Sequence, residues 1–199
     1  MGPGPTPGNL MSLPLERALR WAAARHEGQC RKGSKTPYVQ HVVGVALILD
    51  RLGFSEEVVI AGLLHDIVED TETSIAEVEV AFGAEVARTV RACSEVKNDE
   101  TGHRRPWINR KRDHLAELEK APASARAVAL ADKLHNLTSM RLDLQEGRPV
   151  WSLFNAGRDD VLWYYRSALE RYVGGDDRLD RLASECRMIL ETLGSTPPG

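Results

Sequence analysis

Hydrophobic residues recur along this chain at the three- and four-residue spacing of amphipathic helices. Alternating runs of β-branched residues, which are typical of strands, are missing. Glycine, proline and capping residues divide the pattern into helices predicted at 12–26, 38–52, 55–70, 74–83, 84–96, 107–119 and 124–144, then one or two helices ending at 172, and a last one at 176–193. The pattern therefore predicts an all-α fold, a single bundle of about eight to ten helices.

The length of the chain bounds its domain organisation. Its 199 residues are enough for one domain with a full core, whereas two domains would each be small. The segments 1–11 and 195–199 are rich in proline and glycine, so we expect disordered tails on either side of a domain at 12–194. The chain shows no signal peptide and no run of roughly 18 apolar residues, which a membrane span needs. We therefore expect a cytoplasmic protein.

Charge and cysteine content exclude several classes of partner. There are 26 Lys and Arg residues against 29 Asp and Glu, a net charge of −3, so no overall field would hold nucleic acid or an anionic membrane. The cysteines, Cys30, Cys93 and Cys186, lack metal-ligand spacing and fit reduced thiols. Any attraction for anions must therefore be local.

The most informative segment is LLHDIVEDT at 63–71. With about 100° per residue in a helix, His65, Asp66, Glu69 and Asp70 share one broad face of an otherwise apolar run. Burying three carboxylates beside an imidazole costs free energy unless a cation or a proton offsets their repulsion. The segment therefore predicts a metal site with acid–base chemistry beside it.

Two residues elsewhere in the chain complete a candidate ligand set. His41 lies near the start of the second predicted helix, and Asp132 lies within the long helix. Together with His65 and Asp66 they offer two imidazoles and two carboxylates, which suit manganese, iron or zinc. Taken alone, His41 is an ordinary helix-start histidine and Asp132 could pair with a basic neighbour. The ordered set of four favours a metal site.

Further polar residues flank the candidate ligands. Glu69 and Asp70 lie one turn beyond them, where a general acid or base can reach water or substrate beside an ion. The alternative is that both are solvated residues at a helix end. Asn136 lies one turn after Asp132 and could orient a ligand or substrate, whereas its neighbour His135 is expected to satisfy a buried hydrogen bond.

Basic residues form two clusters that could bind phosphate. Arg31 and Lys32 belong to the loop before His41, and Tyr38 in the same segment is either a ribose or base contact or a core aromatic. The second cluster surrounds the start of the helix at 107–119 and comprises Arg104, Arg105, Arg110, Lys111 and Arg112. A solvated basic surface is the alternative for both clusters, and proximity to His41 favours a function for the first.

Three segments resemble, in order and wording, the HD-type hydrolase domain of RelA/SpoT proteins: RKGSKTPYVQHV at 31–42, LLHDIVEDT at 63–71 and ALADKLHNL at 129–137. SEVK at 94–97, WINRKR at 107–112 and the aromatic residues at 163–165 extend the resemblance from about residue 18 to residue 172. Three linked motifs are more specific than a single His-Asp pair. The chain is identified as a member of this family with the length of a stand-alone small alarmone hydrolase.

The resemblance implies an all-helical HD domain that binds one Mn²⁺ ion. It also implies hydrolysis of the 3′-diphosphate of guanosine tetra- or pentaphosphate, with release of pyrophosphate and GDP or GTP. The residues that it places at the metal are His41, His65, Asp66 and Asp132. Those that it places at the reaction and the nucleotide are Glu69, Asp70, Arg31, Lys32 and Asn136.

The resemblance leaves the substrate and partners partly open. Many family members carry an Arg-Thr pair two residues after the asparagine, where this chain has Thr138 and Ser139. We expect base specificity to come mainly from the loop at 31–38. Alternative functions are hydrolysis of adenosine alarmones, removal of the 2′-phosphate of NADPH, and neutralisation of a toxic alarmone synthetase as its antitoxin. A cognate synthetase and a second copy of the chain are the protein partners to consider.

Overall fold

The computed structural model describes residues 11–195. Within this range the chain forms ten α-helices and one 3₁₀ helix, with no strand, which confirms the predicted all-α bundle. The helices are α1 (Leu13–Arg25), α2 (Val39–Arg51), α3 (Glu56–Leu64), α4 (Ile67–Asp70), α5 (Ile75–Phe82), α6 (Ala84–Cys93), α7 (Trp107–Glu119), α8 (Ala123–Gln145), the 3₁₀ helix (Val150–Leu153), α9 (Arg158–Arg171) and α10 (Asp177–Ser195). Most of the two predicted tails, 1–10 and 196–199, lies outside the described residues.

Local sequence signals explain where several helices begin. The Ser12 side chain accepts a hydrogen bond from the backbone N–H of Leu15, and a proline lies in the first turn of α1. Ser74 and Glu77 form the predicted capping box at the start of α5. Ser55 occupies the N-cap position of α3, although its side chain makes no capping hydrogen bond. The predicted starts of these three helices are therefore confirmed.

The prediction of one continuous helix through the 63–71 motif is wrong. His65 and Asp66 form a turn that separates α3 from α4. In a continuing helix the Asp66 N–H would donate to the carbonyl of Gly62, but the His65 ring nitrogen Nδ1 takes that carbonyl at 2.8 Å. Asp66 then occupies the N-cap of α4, a position that aspartate favours over a helix interior.

Helix α8 is the central element of the bundle. It contacts α2, α3, α6, α7, α9 and α10. Buried alanines at 125, 127, 129 and 131 keep its surface narrow, so that neighbouring helices approach its axis closely. None of the helices in residues 11–195 is long and apolar enough to cross a membrane.

The loop between α1 and α2 folds back on itself beside the end of α8. The backbone N–H of Arg31 donates to the carbonyl of Thr36 at 2.8 Å, and that of Tyr38 donates to Gln29 at 2.9 Å. Gly33 has a φ of +73°, and the side chain of Leu153 fills the space where a Cβ would lie. The 3₁₀ helix therefore packs against this loop and encloses a cavity between them.

Candidate active site

The four predicted metal ligands meet at one point in the bundle. His41 comes from α2, His65 and Asp66 come from the turn after α3, and Asp132 comes from α8. One ligand atom each from His41, His65 and Asp132 lie within 4.8 Å of one another. The Asp66 oxygen Oδ2 lies 3.0 Å from Nε2 of His65 and 3.5 Å from Nε2 of His41. The break between α3 and α4 therefore gives adjacent residues access to the same point.

The hydrogen bonds of His65 leave its other ring nitrogen ready for a cation. Because Nδ1 faces the Gly62 carbonyl at 2.8 Å, Nδ1 must donate, and in the neutral ring Nε2 then carries a lone pair. Nε2 is buried and has no hydrogen-bond partner, yet two carboxylates, Asp66 at 3.0 Å and Asp132 at 3.8 Å, lie beside it. A positive charge must therefore accompany Nε2, either a proton, since against the effect of burial the neighbouring Asp66 and Asp132 raise the pKa of His65 well above its usual value, or a bound cation. The donor set therefore fits a divalent cation.

The electrostatics of the cluster keep both carboxylates ionised. Burial opposes ionisation of Asp66, but the neighbouring His65 and His41 imidazoles hold its pKa well below the usual range. Burial likewise opposes ionisation of Asp132, and the Lys133 ammonium with the His41 ring holds its pKa well below normal. Both carboxylates are therefore available as anionic ligands near neutral pH.

His135 contacts the ring nitrogen of His41 that faces away from the carboxylates. Its Nδ1 lies 2.9 Å from Nδ1 of His41, and burial together with the nearby His41 lowers the pKa of His135 to about 4. A neutral His135 can accept a proton-donating contact from His41 Nδ1, which directs the His41 Nε2 lone pair towards the carboxylates. We expected His135 to satisfy a hydrogen bond, and its partner is His41, a candidate metal ligand.

Tyr38 contacts the ligand cluster through its hydroxyl. This hydroxyl donates to Oδ2 of Asp66 at 2.6 Å, and the ring lies 4.9 Å from that of His26 and 5.5 Å from that of His41, between ring centroids. The sequence offered a nucleotide contact or a core aromatic for this residue. Its hydroxyl orients a carboxylate of the candidate metal site, and the nucleotide contact stays a prediction.

Glu69 and Asp70 lie on the open side of the cluster and share one lysine. Lys97 Nζ lies 3.2 Å from Oε2 of Glu69 and donates to Oδ1 of Asp70 at 2.9 Å. The backbone N–H of Glu95 donates to Oε1 of Glu69. Burial raises the pKa of Glu69, against the opposing effect of this N–H and of Lys97. Neither residue is a simply solvated helix end, since both carboxylates are held by Lys97.

Sequence reasoning missed this support. The SEVK segment contributes to the family resemblance, but nothing in its letters assigns a role to Glu95 or Lys97. The Glu95 side chain is buried and forms ion pairs with Arg110 and Lys111. These two members of the second basic cluster therefore bind a buried carboxylate and do not form a solvated surface. Arg105 pairs with Asp113 in the same region. The second cluster thus anchors the loop that carries Lys97.

Two adjacent cavities lie beside the candidate ligands and the loop of Arg31. The smaller, about 190 Å³, contains the ligand cluster and Glu69. The larger, about 550 Å³, is lined by Arg31 and Lys32 and by side chains of α8 and the 3₁₀ helix. Tyr38 and Asn136 line both cavities. A ligand with phosphates in the smaller cavity could therefore extend its remaining part into the larger one.

Asn136 joins the loop of Arg31 to the ligand cluster. Arg31 Nη2 donates to Oδ1 of Asn136 at 2.6 Å, and Asn136 Nδ2 donates to Oδ1 of Asp132 at 2.6 Å. This chain of contacts places a guanidinium at the boundary between the two cavities. An anionic group bridging the cavities would meet that guanidinium next to the candidate metal ligands.

Comparison with known proteins agrees with this geometry. A family model described as an HD domain matches residues 18–162. MESH1 from mouse, named as a guanosine-3′,5′-bis(diphosphate) 3′-pyrophosphohydrolase, is 43% identical over 186 residues, which cover 92% of this chain and 96% of the mouse protein. The human protein of the same name is 43% identical over 141 residues, covering 69% of this chain and 74% of its own length.

Solved structures share the same architecture. One, described as a metazoan ortholog of SpoT that hydrolyzes ppGpp and plays a role in starvation responses, has a TM-score of 0.78 at 29% identity and covers 95% of this chain and 100% of its own. A protein from Listeria monocytogenes EGD-e has a TM-score of 0.64 at 37% identity, covering 76% of this chain and 99% of its own. The chain therefore belongs to the HD domain family, in the group of small HD-type alarmone hydrolases that includes MESH1.

Proposed function

We infer that this protein hydrolyses the 3′-diphosphate of guanosine tetra- and pentaphosphate, releasing pyrophosphate and GDP or GTP. The observation that carries the inference is the pair of adjacent cavities, which share Tyr38 and Asn136 in their walls. The smaller holds a buried cluster fit for a cation, and the larger holds Arg31 and Lys32 beside the junction. A nucleotide that carries two diphosphates could place one in the smaller cavity and the other beside Arg31 and Lys32. The named activity of the mouse relative, which spans nearly the whole chain, supports the same substrate.

We propose Mn²⁺ as the resident cation, held by His41, His65, Asp66 and Asp132. Two imidazoles with two carboxylates suit manganese, although iron and zinc accept similar donors. A bound ion of this kind supplies Lewis acidity to the phosphoryl group. The protein's own residues position the substrate and move the protons.

Each remaining side chain has a distinct task in the proposed reaction. Arg31 and Lys32 neutralise phosphate oxygens, and Asn136 holds Arg31 at the junction of the cavities. Glu69 accepts the proton of the attacking water, while Asp70 and Lys97 keep its carboxylate in place. As water adds to phosphorus, the bond from phosphorus to the ribose O3′ breaks and O3′ takes up a proton.

The direct test is an assay of the purified protein with Mn²⁺. Guanosine tetraphosphate, its adenosine counterpart and NADPH are supplied separately, and pyrophosphate is resolved from orthophosphate. We expect pyrophosphate and GDP from guanosine tetraphosphate. Release of orthophosphate from NADPH, with the guanosine substrate untouched, would instead make the protein a 2′-phosphatase and refute the proposal.

We predict that Glu69→Gln retains Mn²⁺ but loses turnover. The amide keeps the size of the side chain but cannot accept a proton, so kcat should fall by about 100-fold or more. Mn²⁺ affinity, measured by calorimetry, should stay within a few-fold of the wild-type value because Glu69 is not one of the proposed ligands. Loss of the metal in this variant would show that Glu69 is a ligand rather than a base.

The cellular setting and the protein partners are also proposals. We place the reaction in the cytoplasm, where guanine nucleotides are abundant. A cognate synthetase and a homo-oligomer stay predictions that derive from the resemblance alone.

A further inference from the structure

The charged residues that line the larger cavity come from two different parts of the chain. Arg31 and Lys32 line it, and Arg31 is tied to the ligand cluster through Asn136. Asp143, Glu146 and Arg148 also line it, at the C-terminal end of α8 and just beyond. Along α8, Asp143 is eleven residues beyond Asp132, or roughly 16 Å at the 1.5 Å rise of an α-helix. Phosphates held beside the ligand cluster would leave a nucleobase near the C-terminal end of α8.

The walls near that distal end suit a flat, weakly polar ring. They are formed by aliphatic and aromatic side chains: Met140, Leu142, Val150, Leu153 and Phe154. Such surfaces stack against the faces of any purine and cannot tell one base from another. Discrimination must therefore come from polar groups that reach the edge of the base, and at the end of α8 the charged groups Asp143, Glu146 and Arg148 are in reach.

Asp143 and Arg148 form a preorganised donor–acceptor pair at this end. Arg148 Nη1 lies 3.1 Å from Oδ1 of Asp143, and the backbone N–H of Arg148 donates to the Asp143 carbonyl at 2.9 Å. Asp143 shares its helix face with Asp132 and Asn136, because these positions are separated by whole turns. Glu146, the other partner of Arg148 at 2.8 Å, is more exposed, at 47% against 28% for Asp143.

We propose that Asp143 and Arg148 read the edge of guanine in the nucleotide substrate. This inference rests on the proposed function, since it names the base that the same site selects. Guanine presents an acceptor at O6 followed by donors at N1 and N2. The Arg148 guanidinium donates to O6, and the Asp143 carboxylate accepts from N1–H and N2–H.

Adenine presents the opposite pattern to this pair. Its N6 amino group is a donor that would face the guanidinium, and its N1 is an acceptor that would face the carboxylate. A site built to hydrogen-bond one edge rejects the other because its polar groups are then left unpaired. The pair therefore selects guanosine over adenosine alarmones. This assigns base choice to the end of α8 in addition to the loop at 31–38.

The test compares purines on the wild type, on Asp143→Asn and on Glu146→Gln. GDP and ADP are titrated calorimetrically, and kcat/KM is measured on guanosine tetraphosphate and its adenosine counterpart. The wild type should prefer guanine at least tenfold in both measurements. Asp143→Asn should lose at least tenfold of that preference. Glu146→Gln, which removes the other carboxylate from Arg148, should keep it.

The two readouts separate this inference from the proposed function. Equal affinity of the wild type for GDP and ADP, or an unchanged preference in Asp143→Asn, would overturn the reading of the base. A preference for GDP that Asp143→Asn abolishes, in a protein that releases no pyrophosphate from either tetraphosphate, would support the reading and refute the hydrolase. A general packing defect would weaken both purines alike and leave their ratio unchanged, which also counts against the proposal.

Discussion

The hydroxyl of Tyr38 orients one carboxylate among several charged neighbours. It donates to Oδ2 of Asp66 at 2.6 Å and thereby fixes which way that oxygen faces. Removing it leaves the ring in place between His26 and His41. Groups that hold a metal ligand in this way typically contribute 10- to 100-fold to metal affinity.

We therefore predict that Tyr38→Phe weakens Mn²⁺ binding by about tenfold or more while the fold is retained. The measurement is a calorimetric Mn²⁺ titration, with circular dichroism to monitor the fold. Tyr172→Phe is the matched control because the Tyr172 hydroxyl is buried without a hydrogen-bond partner, so its loss should leave Mn²⁺ affinity unchanged. Equal Mn²⁺ affinity in wild type and Tyr38→Phe would show that the contact with Asp66 is incidental.

Individual residues differ in how far their sequence alone reveals them. His41, His65, Asp66 and Asp132 could be nominated because imidazoles and carboxylates rarely occur together in apolar helices. Their convergence is visible only in the fold, since the helices that carry them are far apart in the chain. Lys97 could not be assigned a role from the sequence, because the sequence of a polar loop does not show whether its lysine is solvated or pairs with two carboxylates.

At the scale of elements, the close approach of α2 to α8 shapes the site. A Cβ added to Gly44 in α2 would come within 2.2 Å of Cδ2 and 2.4 Å of Nε2 in His135 of α8. Glycine at this position therefore makes room for the ring that contacts His41 Nδ1. The sequence pattern places Gly44 inside a helix, where glycine lowers stability. The sequence alone does not show that the absence of a side chain is needed to fit the His135 ring.

We predict that Gly44→Ala displaces His135, lowers stability by about 1–3 kcal/mol and weakens Mn²⁺ binding. Denaturant unfolding and a Mn²⁺ titration measure the two effects. The double variant Gly44→Ala/His135→Ala removes the clash, so it should regain stability and still bind Mn²⁺ weakly. Full Mn²⁺ affinity in the double variant would mean that His135 does not support His41.

The break between α3 and α4 is the feature of the elements that periodicity could not foresee. Residues 56–70 carry an apolar pattern compatible with one helix, since nine of these fifteen positions are apolar or glycine. The end of α3 is instead decided by one competition, in which the His65 ring takes the carbonyl that the Asp66 N–H would need. The same side-chain contact aligns His65 with the ligand cluster.

At the scale of the whole molecule, a bound cation would tie together segments that the chain separates widely. His41, His65 and Asp132 lie in α2, after α3 and in α8, and these three helices contact one another in the core. The unfolded chain does not hold these ligands in one place, so a cation binds the folded state preferentially and stabilises it. Without a cation, and against the effect of burial, the neighbouring carboxylates raise the pKa of His65 well above its usual value, so a bound cation replaces a proton at this site.

We therefore predict that saturating Mn²⁺ raises the melting temperature and that a chelator reverses the rise. At a free concentration of about 100 times Kd the stabilisation is about 2.7 kcal/mol, which for a domain of this size corresponds to roughly 5–10 °C. His65→Ala should abolish the Mn²⁺-dependent shift, whereas His103→Ala, an exposed loop histidine, should retain it. A shift of equal size in both variants would place the cation elsewhere, because only His65 belongs to the cluster that joins the three helices.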